Sequence, residues 1–260
     1  MKINIVGGRG LMGRIHKPLF EKAGHEVIIS GRNSMPSTEE AAENSDITVI
    51  SVPLEATEET IKKVAPHCKA ILDFTSLKEF SIKSMLEHSS KGCEVAGLHP
   101  LYGEVSSIEG RTIIYCETER TGEKCQKLVE ALKLAGARIV KLSAEQHDKI
   151  MAVLQNARTE ILESYGLLLK DAKIEIKELY ELSPPPTRIM LDLLARQINT
   201  DNDLMFRKMR RLNKHENSTN NKLINNLKKV LSNKKNIPEE LREMFGEELK
   251  NAQKKVEKLI

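Results

Sequence analysis

The stretch that most constrains this chain is Lys2-Ile3-Asn4-Ile5-Val6-Gly7-Gly8-Arg9-Gly10-Leu11-Met12-Gly13. The apolar run Ile3 to Val6 reads as a buried strand, and a helical pattern follows Gly13. Between them stands Gly8-x-Gly10-x-x-Gly13. The three glycines act differently. Gly8 permits a tight turn, Gly10 lets a pyrophosphate approach the backbone, and Gly13 lets the helix pack closely on the strand. The helix N-terminus then offers unpaired N–H groups and the positive end of its dipole. This order of strand, turn and helix implies a dinucleotide site with Gly8, Gly10, Leu11, Met12 and Gly13 in contact with the cofactor.

Further strands are expected at Glu26–Ser30, Asp46–Val52, Ala70–Phe74, Glu94–Leu98, Thr112–Cys116 and Arg138–Leu142, with helical patterns between most of them. Strands alternating with helices at this spacing form βαβ units. The fold class is therefore α/β: a Rossmann-type, doubly wound, mostly parallel sheet, followed by an all-α part. From Ser143 the strand signal stops, so residues 1–142 read as the dinucleotide-binding domain and 143–260 as a helical domain for substrate binding and dimerisation. Ala144–Ala172 reads as one long helix with Met151, Leu154, Ile161 and Tyr165 in its core stripe. Pro184-Pro185-Pro186 breaks the chain, and Asn217–Asn221 and Asn233–Pro238 interrupt the helical tail. An all-α half that cannot bury its apolar face alone commonly pairs with a second copy, so a homodimer is expected.

Composition excludes several alternatives. Net charge is only +4 and aromatics are 3% with no Trp, which argues against a nucleic-acid platform. No apolar run approaches the roughly 20 residues of a membrane span, and the first residues form a strand rather than a signal peptide. Cys68, Cys93, Cys116 and Cys125 are scattered without a C-x-x-C pair, so no metal site is expected and a cytoplasmic chain with reduced thiols is the default. The basic tail from Arg207 to Lys258 reads as a solvated helical face.

In a doubly wound sheet, ligands lie beyond the C-terminal strand ends. Ser51-Val52-Pro53 is such an end, which makes Val52 and Pro53 cofactor contacts. After the second strand stands Gly31-Arg32-Asn33-Ser34, where an acidic residue would hold the ribose of NAD. A guanidinium at Arg32 and a hydroxyl at Ser34 suit a 2′-phosphate instead, which favours NADP over NAD; the alternative is that Arg32 stacks on the adenine. His99 precedes Pro100 at another strand end, placed either as a general base, since imidazole titrates near neutral pH, or as a structural loop histidine. Ser76 either hydrogen-bonds a substrate hydroxyl or opens the capping box Ser76-Leu77-Lys78-Glu79. Lys78 reads as solvent-facing. His147 and Asp148 begin the long helix, the acid serving dipole compensation or either residue reaching a cleft. Arg188 and Arg196 lie on one helix, as carboxylate clamps or surface ion pairs.

The ordered pieces Gly8-Arg9-Gly10-Leu11-Met12-Gly13-Arg14, Ser51-Val52-Pro53-Leu54-Glu55, Ser76-Leu77-Lys78, Gly97-Leu98-His99-Pro100-Leu101-Tyr102-Gly103, Glu145-Gln146-His147-Asp148-Lys149-Ile150-Met151-Ala152 and Leu182-Ser183-Pro184 resemble the prephenate dehydrogenase family of tyrosine biosynthesis. The resemblance implies oxidation of the ring hydroxyl of prephenate by hydride transfer to NAD or NADP, with loss of carbon dioxide to give 4-hydroxyphenylpyruvate. By position, His99 matches the proton-accepting histidine, Ser76 the serine beside the nicotinamide, and Arg196 the arginine on a substrate carboxylate. Arg188, His147 and Thr159 complete the expected substrate site. Thr159 stands where the family usually has a second histidine; it can hydrogen-bond but carries no charge, which keeps arogenate or another small acid open as substrate. A different class of function, a nucleotide-sensing dimer without catalysis, is also compatible with the chain.

Overall fold

The computed structural model describes residues 1–199, 209, 211–232 and 237–256. By its contacts the chain divides into two compact units, Met1–Met151 with Arg207–Asn213, and Ala152–Phe206 with Lys214–Ile260. The helical pattern begins near residue 143, yet the first unit runs on to Met151. The reason is that the helix Ala144–Met151 buries His147, Asp148 and Met151.

The first unit contains, in chain order, β1 (Lys2–Val6), α1 (Leu11–Lys22), β2 (Glu26–Ser30), α2 (Thr38–Glu43), β3 (Ile47–Ile50), α3 (Leu54–Val64), β4 (Ala70–Asp73), α4 (Glu79–His88), β5 (Glu94–Pro100), β6 (Thr112–Glu117), α5 (Glu123–Leu134), β7 (Arg138–Lys141) and α6 (Ala144–Met151). The strands form one seven-stranded sheet in the order β2-β1-β3-β4-β5-β6-β7. Every pair is parallel except β5 with β6, which is antiparallel and sets His99 opposite Ile114. This is the doubly wound, mostly parallel sheet the sequence implies. The chain passes from β2 across β1 to β3, so the strand order reverses beside β1 and a crevice opens beyond the carboxyl ends of β1 and β3.

The central strands are largely apolar because helices cover both of their faces, with Asn4 and Thr48 as buried polar exceptions. Ile3, Ile5, Val49, Leu72 and Leu98 pack with Phe20, Leu128 and Leu132, which α1 and α5 contribute. The other face buries Val6, Ile50, Ile71 and Val95 against Ile61, Val64 and Met85 of α3 and α4. All four cysteines are buried and unpaired. Burial pushes the thiols of Cys68, Cys116 and Cys125 up to about 12 and raises that of Cys93.

Two glycines explain the turn after β1. The left-handed residue is Gly7, with φ +80°, and not Gly8; a Cβ on Gly7 would lie 2.5 Å from the Ser51 carbonyl oxygen. At Gly13 a Cβ would lie 2.2 Å from the Gly8 carbonyl oxygen, so only glycine lets α1 approach β1.

The second unit holds, among its described residues, helices and no strand. A π-helical turn at Ala152–Ala157 leads into α7 (Arg158–Asp171), followed by α8 (Ile176–Leu182), α9 (Pro185–Asn199) and the helices Glu216–Leu231 and Ile237–Val256. Three expectations change here. Pro185 and Pro186 open α9 rather than interrupt the chain, since the first helical turn needs no N–H partner. Asn217–Asn221 lies inside the helix Glu216–Leu231, held by Asn220 Nδ2 donating to Glu160 at 3.0 Å. Leu154 and Ile161 are exposed rather than core, because a stripe counted at 3.6 residues loses phase where the turn widens. The expected break at Asn233–Pro238 falls mostly outside the described residues, whereas most of the basic tail is described and is largely helical and exposed. No helix among the described residues is long and apolar enough to cross a membrane.

Replacing Gly13 with Ala should lower stability by about 1–3 kcal/mol, the usual cost of overpacking a closed contact. Gly31→Ala adds a methyl that meets nothing closer than 4.0 Å and should be near neutral. Urea unfolding of the two variants checks this.

Candidate active site

The crevice begins at the N-terminus of α1. No side chain caps it and its first turn carries no acid, so its N–H groups and dipole remain available to an anion. Nothing but the Gly7 carbonyl oxygen, 3.2 Å away, lies near a Cβ built on Gly10, so the loop presents bare backbone. A dinucleotide pyrophosphate fits this cradle. At the end of β2, Arg32 is exposed and has no partner among the described residues. Ser34 is already committed: its Oγ accepts from Gly31 N at 3.1 Å and donates to the Pro36 carbonyl at 2.7 Å. Of the two residues expected to meet a 2′-phosphate, only Arg32 is therefore unengaged. Val52 is half-buried and Pro53 exposed where β3 passes into α3.

The loop after β4 is built on a buried ion pair that sequence reasoning did not foresee. Lys78, expected in solvent, is fully buried. Its Nζ donates to Asp73 Oδ2 at 2.5 Å and to the Leu98 carbonyl at 2.9 Å. Thr75 lies against the same carboxylate, with its N–H donating to Asp73 Oδ2 at 3.2 Å. The lysine stem passes across Gly97, where a Cβ would sit 2.9 Å from Lys78 Cδ. One cation thus ties the end of β4 to β5 immediately before His99, and it fixes the loop that carries Ser76.

His99 occupies the last turn of β5, 3% exposed. Its Nδ1 lies 2.8 Å from Nε2 of His147, and Nδ1 of His147 lies 2.6 Å from Asp148 Oδ1. The carboxylate of Asp148 also accepts from the backbone N–H groups of Lys78 at 2.9 Å and Glu79 at 3.0 Å. Asp148 is therefore the N-terminal cap of α4, a service supplied from another helix. The capping box expected from Ser76 does not form: Lys78 occupies the cap position and no side chain of the Ser76–Glu79 segment caps the helix. Ser76, half-buried, makes no hydrogen bond among the described residues.

Burial drives His99 well below its ordinary value, and the neighbouring His147 and Lys78 push the same way. Burial also lowers His147, against the opposing hydrogen bond that the ring donates to Asp148. Burial alone would raise Asp148, but the hydrogen bonds from His147, Lys78 N–H and Glu79 N–H hold it below its ordinary value. Both rings are thus neutral and the carboxyl ionised at neutral pH. With Nδ1 engaged, Nε2 of His99 has no hydrogen-bond partner among the described residues, which leaves it as the nitrogen able to take a proton.

A third buried histidine braces the loop that follows. His16 of α1 meets the Met12 carbonyl through Nδ1 at 2.7 Å and the Tyr102 hydroxyl through Nε2 at 2.9 Å, and it packs on Phe74. Burial lowers its pKa to about 4, so the ring donates to Met12 and accepts from Tyr102. The helix that follows the glycine loop is thereby joined to the segment after His99.

The remaining expected substrate residues lie in the second unit. Thr159 is buried, its Oγ1 accepting from Arg158 at 3.3 Å and its carbonyl from Gln197 at 3.3 Å. Arg188 donates to the Tyr180 carbonyl at 2.7 Å and so fastens α8 to α9. Arg196 is exposed and unpaired among the described residues. Asp73, Lys78, Asp148, His16 and Tyr102 were missed as site residues. The signals available were a His-Asp dipeptide and an Asp-x-x-x-x-Lys spacing, and both are too common to stand out.

Lys78→Met should destabilise the protein by about 3–5 kcal/mol, because it leaves Asp73 as a bare buried charge. The double variant Asp73→Asn, Lys78→Met should recover a large part of that loss. A double-mutant cycle by chemical denaturation measures the coupling.

Comparison with known proteins bears on the family and the fold. A probable arogenate/prephenate dehydrogenase of Methanocaldococcus jannaschii is 28% identical over 278 residues, covering 96% of this chain and 62% of that protein. A T-protein of Enterobacter agglomerans is 31% identical over 204 residues, covering 77% of this chain and 54% of that protein. The chain thus spans little more than half the length of these relatives. The crystal structure of Synechocystis arogenate dehydrogenase superposes with a TM-score of 0.71 at 18% identity over the whole of both chains, a likeness of fold. The family model described as the nucleotide-binding domain of prephenate dehydrogenase matches residues 11–141. That match takes in half of the chain, starting where α1 starts and stopping where β7 stops, and the chain therefore belongs to the prephenate dehydrogenase family.

Proposed function

We propose that the chain is a dehydrogenase that converts prephenate to 4-hydroxyphenylpyruvate in tyrosine biosynthesis, with NADP preferred over NAD. The observation that carries this reading is His99: a neutral imidazole at a strand end of the sheet that holds the glycine loop, with one nitrogen anchored and the other unengaged. A bound nicotinamide supplies the hydride acceptor. His99 Nε2 removes the proton of the ring hydroxyl as the hydride leaves the carbon that bears that hydroxyl. The resulting carbonyl draws the electron pair of the breaking carbon–carboxylate bond into the ring, carbon dioxide departs, and the ring becomes aromatic. Ser76, whose hydroxyl is uncommitted, hydrogen-bonds the reacting hydroxyl. Arg196, also uncommitted, is assigned to a carboxylate of the dianionic substrate on the family resemblance. Arg32 supports NADP, since a guanidinium attracts a 2′-phosphate that an acid would repel. His147 takes a positioning role, because it is enclosed between His99 and Asp148.

Arogenate is the second substrate to weigh, on the observation that Thr159 replaces an expected histidine and is turned into its own unit. The helical unit also leaves Leu167, Leu168, Ile176, Leu182 and Ile198 at least 60% exposed. A second copy of the chain is proposed to cover them.

Purified protein assayed with prephenate or arogenate, each with NAD or NADP, should reduce nicotinamide fastest with prephenate and NADP. No turnover in any of the four combinations would overturn the proposal. His99→Asn should cost roughly 10²–10⁴-fold in kcat while nicotinamide affinity holds within about 2-fold; a sensor would show no such split. Because His99 is lowered and must be neutral to act, kcat/KM should fall only as pH drops below 6.5. Light scattering on the same sample should give twice the chain mass.

A further inference from the structure

We infer that Asp148 fixes the proton positions of His147 and His99 and thereby makes Nε2 the basic nitrogen of His99. The inference rests on the dehydrogenase reading and adds to it a positioning residue that touches no substrate.

The argument is one of donors and acceptors. Asp148 receives two backbone N–H groups, of Lys78 at 2.9 Å and of Glu79 at 3.0 Å, and a backbone N–H can only donate. An acid proton on Asp148 would face a donor at both oxygens, so the carboxylate is ionised, and it sits at the positive end of α4. The third contact, 2.6 Å to His147 Nδ1, must then be a donation from the ring. A neutral His147 with its proton on Nδ1 has a bare lone pair on Nε2. Across 2.8 Å that lone pair can be met only by Nδ1–H of His99. Nε2 of His99 is left without a proton. A doubly protonated His147 would reverse the last bond, yet its enclosure and the buried Lys78 cation both oppose that charge. When His99 becomes an imidazolium, its Nδ1–H still donates to His147, whose own Nδ1–H donates to Asp148, so the carboxylate stabilises the charge and holds the tautomer without itself taking a proton. The same carboxylate caps α4, so the loop bearing Ser76 and the tautomer of His99 depend on one side chain.

Nitrogen-15 NMR of the histidine rings in the resting protein, assigned with His99→Asn and His147→Gln, tests this without turnover. Expected are protonated Nδ1 and bare Nε2 on both rings; a proton on His99 Nε2 overturns the inference. Asp148→Asn should invert the His99 tautomer and lower kcat by roughly 10²-fold or more, with KM and nicotinamide affinity within about 3-fold. A folded Asp148→Asn with native tautomers and kcat within about 3-fold overturns it. If that variant does not fold, His147→Gln and His147→Leu decide: Gln offers His99 an acceptor oxygen and should retain at least about 10-fold more activity. Equal losses would mean packing alone and would overturn the inference. Absence of turnover in the parent chain would sink the dehydrogenase reading while leaving the tautomer result standing.

Discussion

An ionised carboxylate inside a protein needs donors close to it, and the site is built on two such groups, although the buried Oδ1 of Asp73 meets no donor among the described residues. Asp73 is met by Lys78 and the backbone of Thr75; Asp148 is met by two backbone N–H groups and an imidazole. Breaking such a set costs far more than an exposed ion pair returns. The two sets share Lys78, which gives its side chain to one carboxylate and its backbone to the other. As a result, the ends of β4 and β5, the start of α4 and the ring of His99 are positioned as one body, within a sheet whose apolar strands would tolerate many small shifts.

The glycine loop serves the opposite purpose. It leaves donors unmet: an uncapped helix start and a backbone stripped of side chains. Placing a cluster of paired charges beside a set of unmet donors in a single unit gives the crevice a fixed wall and a receptive wall. His16 joins them, linking the first turn of α1 to Tyr102 just past His99. Catalytic geometry depends on such rigidity, because misplacement by about an ångström costs orders of magnitude in rate.

Much of this was legible in the chain. Strands such as Ile3–Val6 and Ile47–Ile50 are apolar runs whose period and length identify buried parallel strands, and the glycine spacing fixes where the first one turns. What could not be read was the state of each polar side chain. Ser76-Leu77-Lys78-Glu79 has the letters of a capping box, but Asp148, 70 residues away from Lys78 in sequence, takes the cap. Lys78 has the profile of a surface residue until Asp73 and the Leu98 carbonyl close around its ammonium. Asp148 looked like dipole compensation for its own helix and instead serves another. In each case a long-range partner outcompetes a local rule, and spacing along the chain holds no record of that partner. Leu154 and Ile161 fail for a local reason, a widened turn that periodicity at 3.6 residues cannot anticipate.

The four enclosed thiols have a practical corollary. Burial pushes three of them up to about 12 and raises the fourth, so little thiolate forms at neutral pH, and only the thiolate reacts with peroxide or maleimide. The folded chain is in effect silent toward alkylating dyes and mild oxidants. A single cysteine introduced on an outer helix would then be the sole handle for a fluorophore or spin label, and growing reactivity of the native four would report the moment the sheet comes apart.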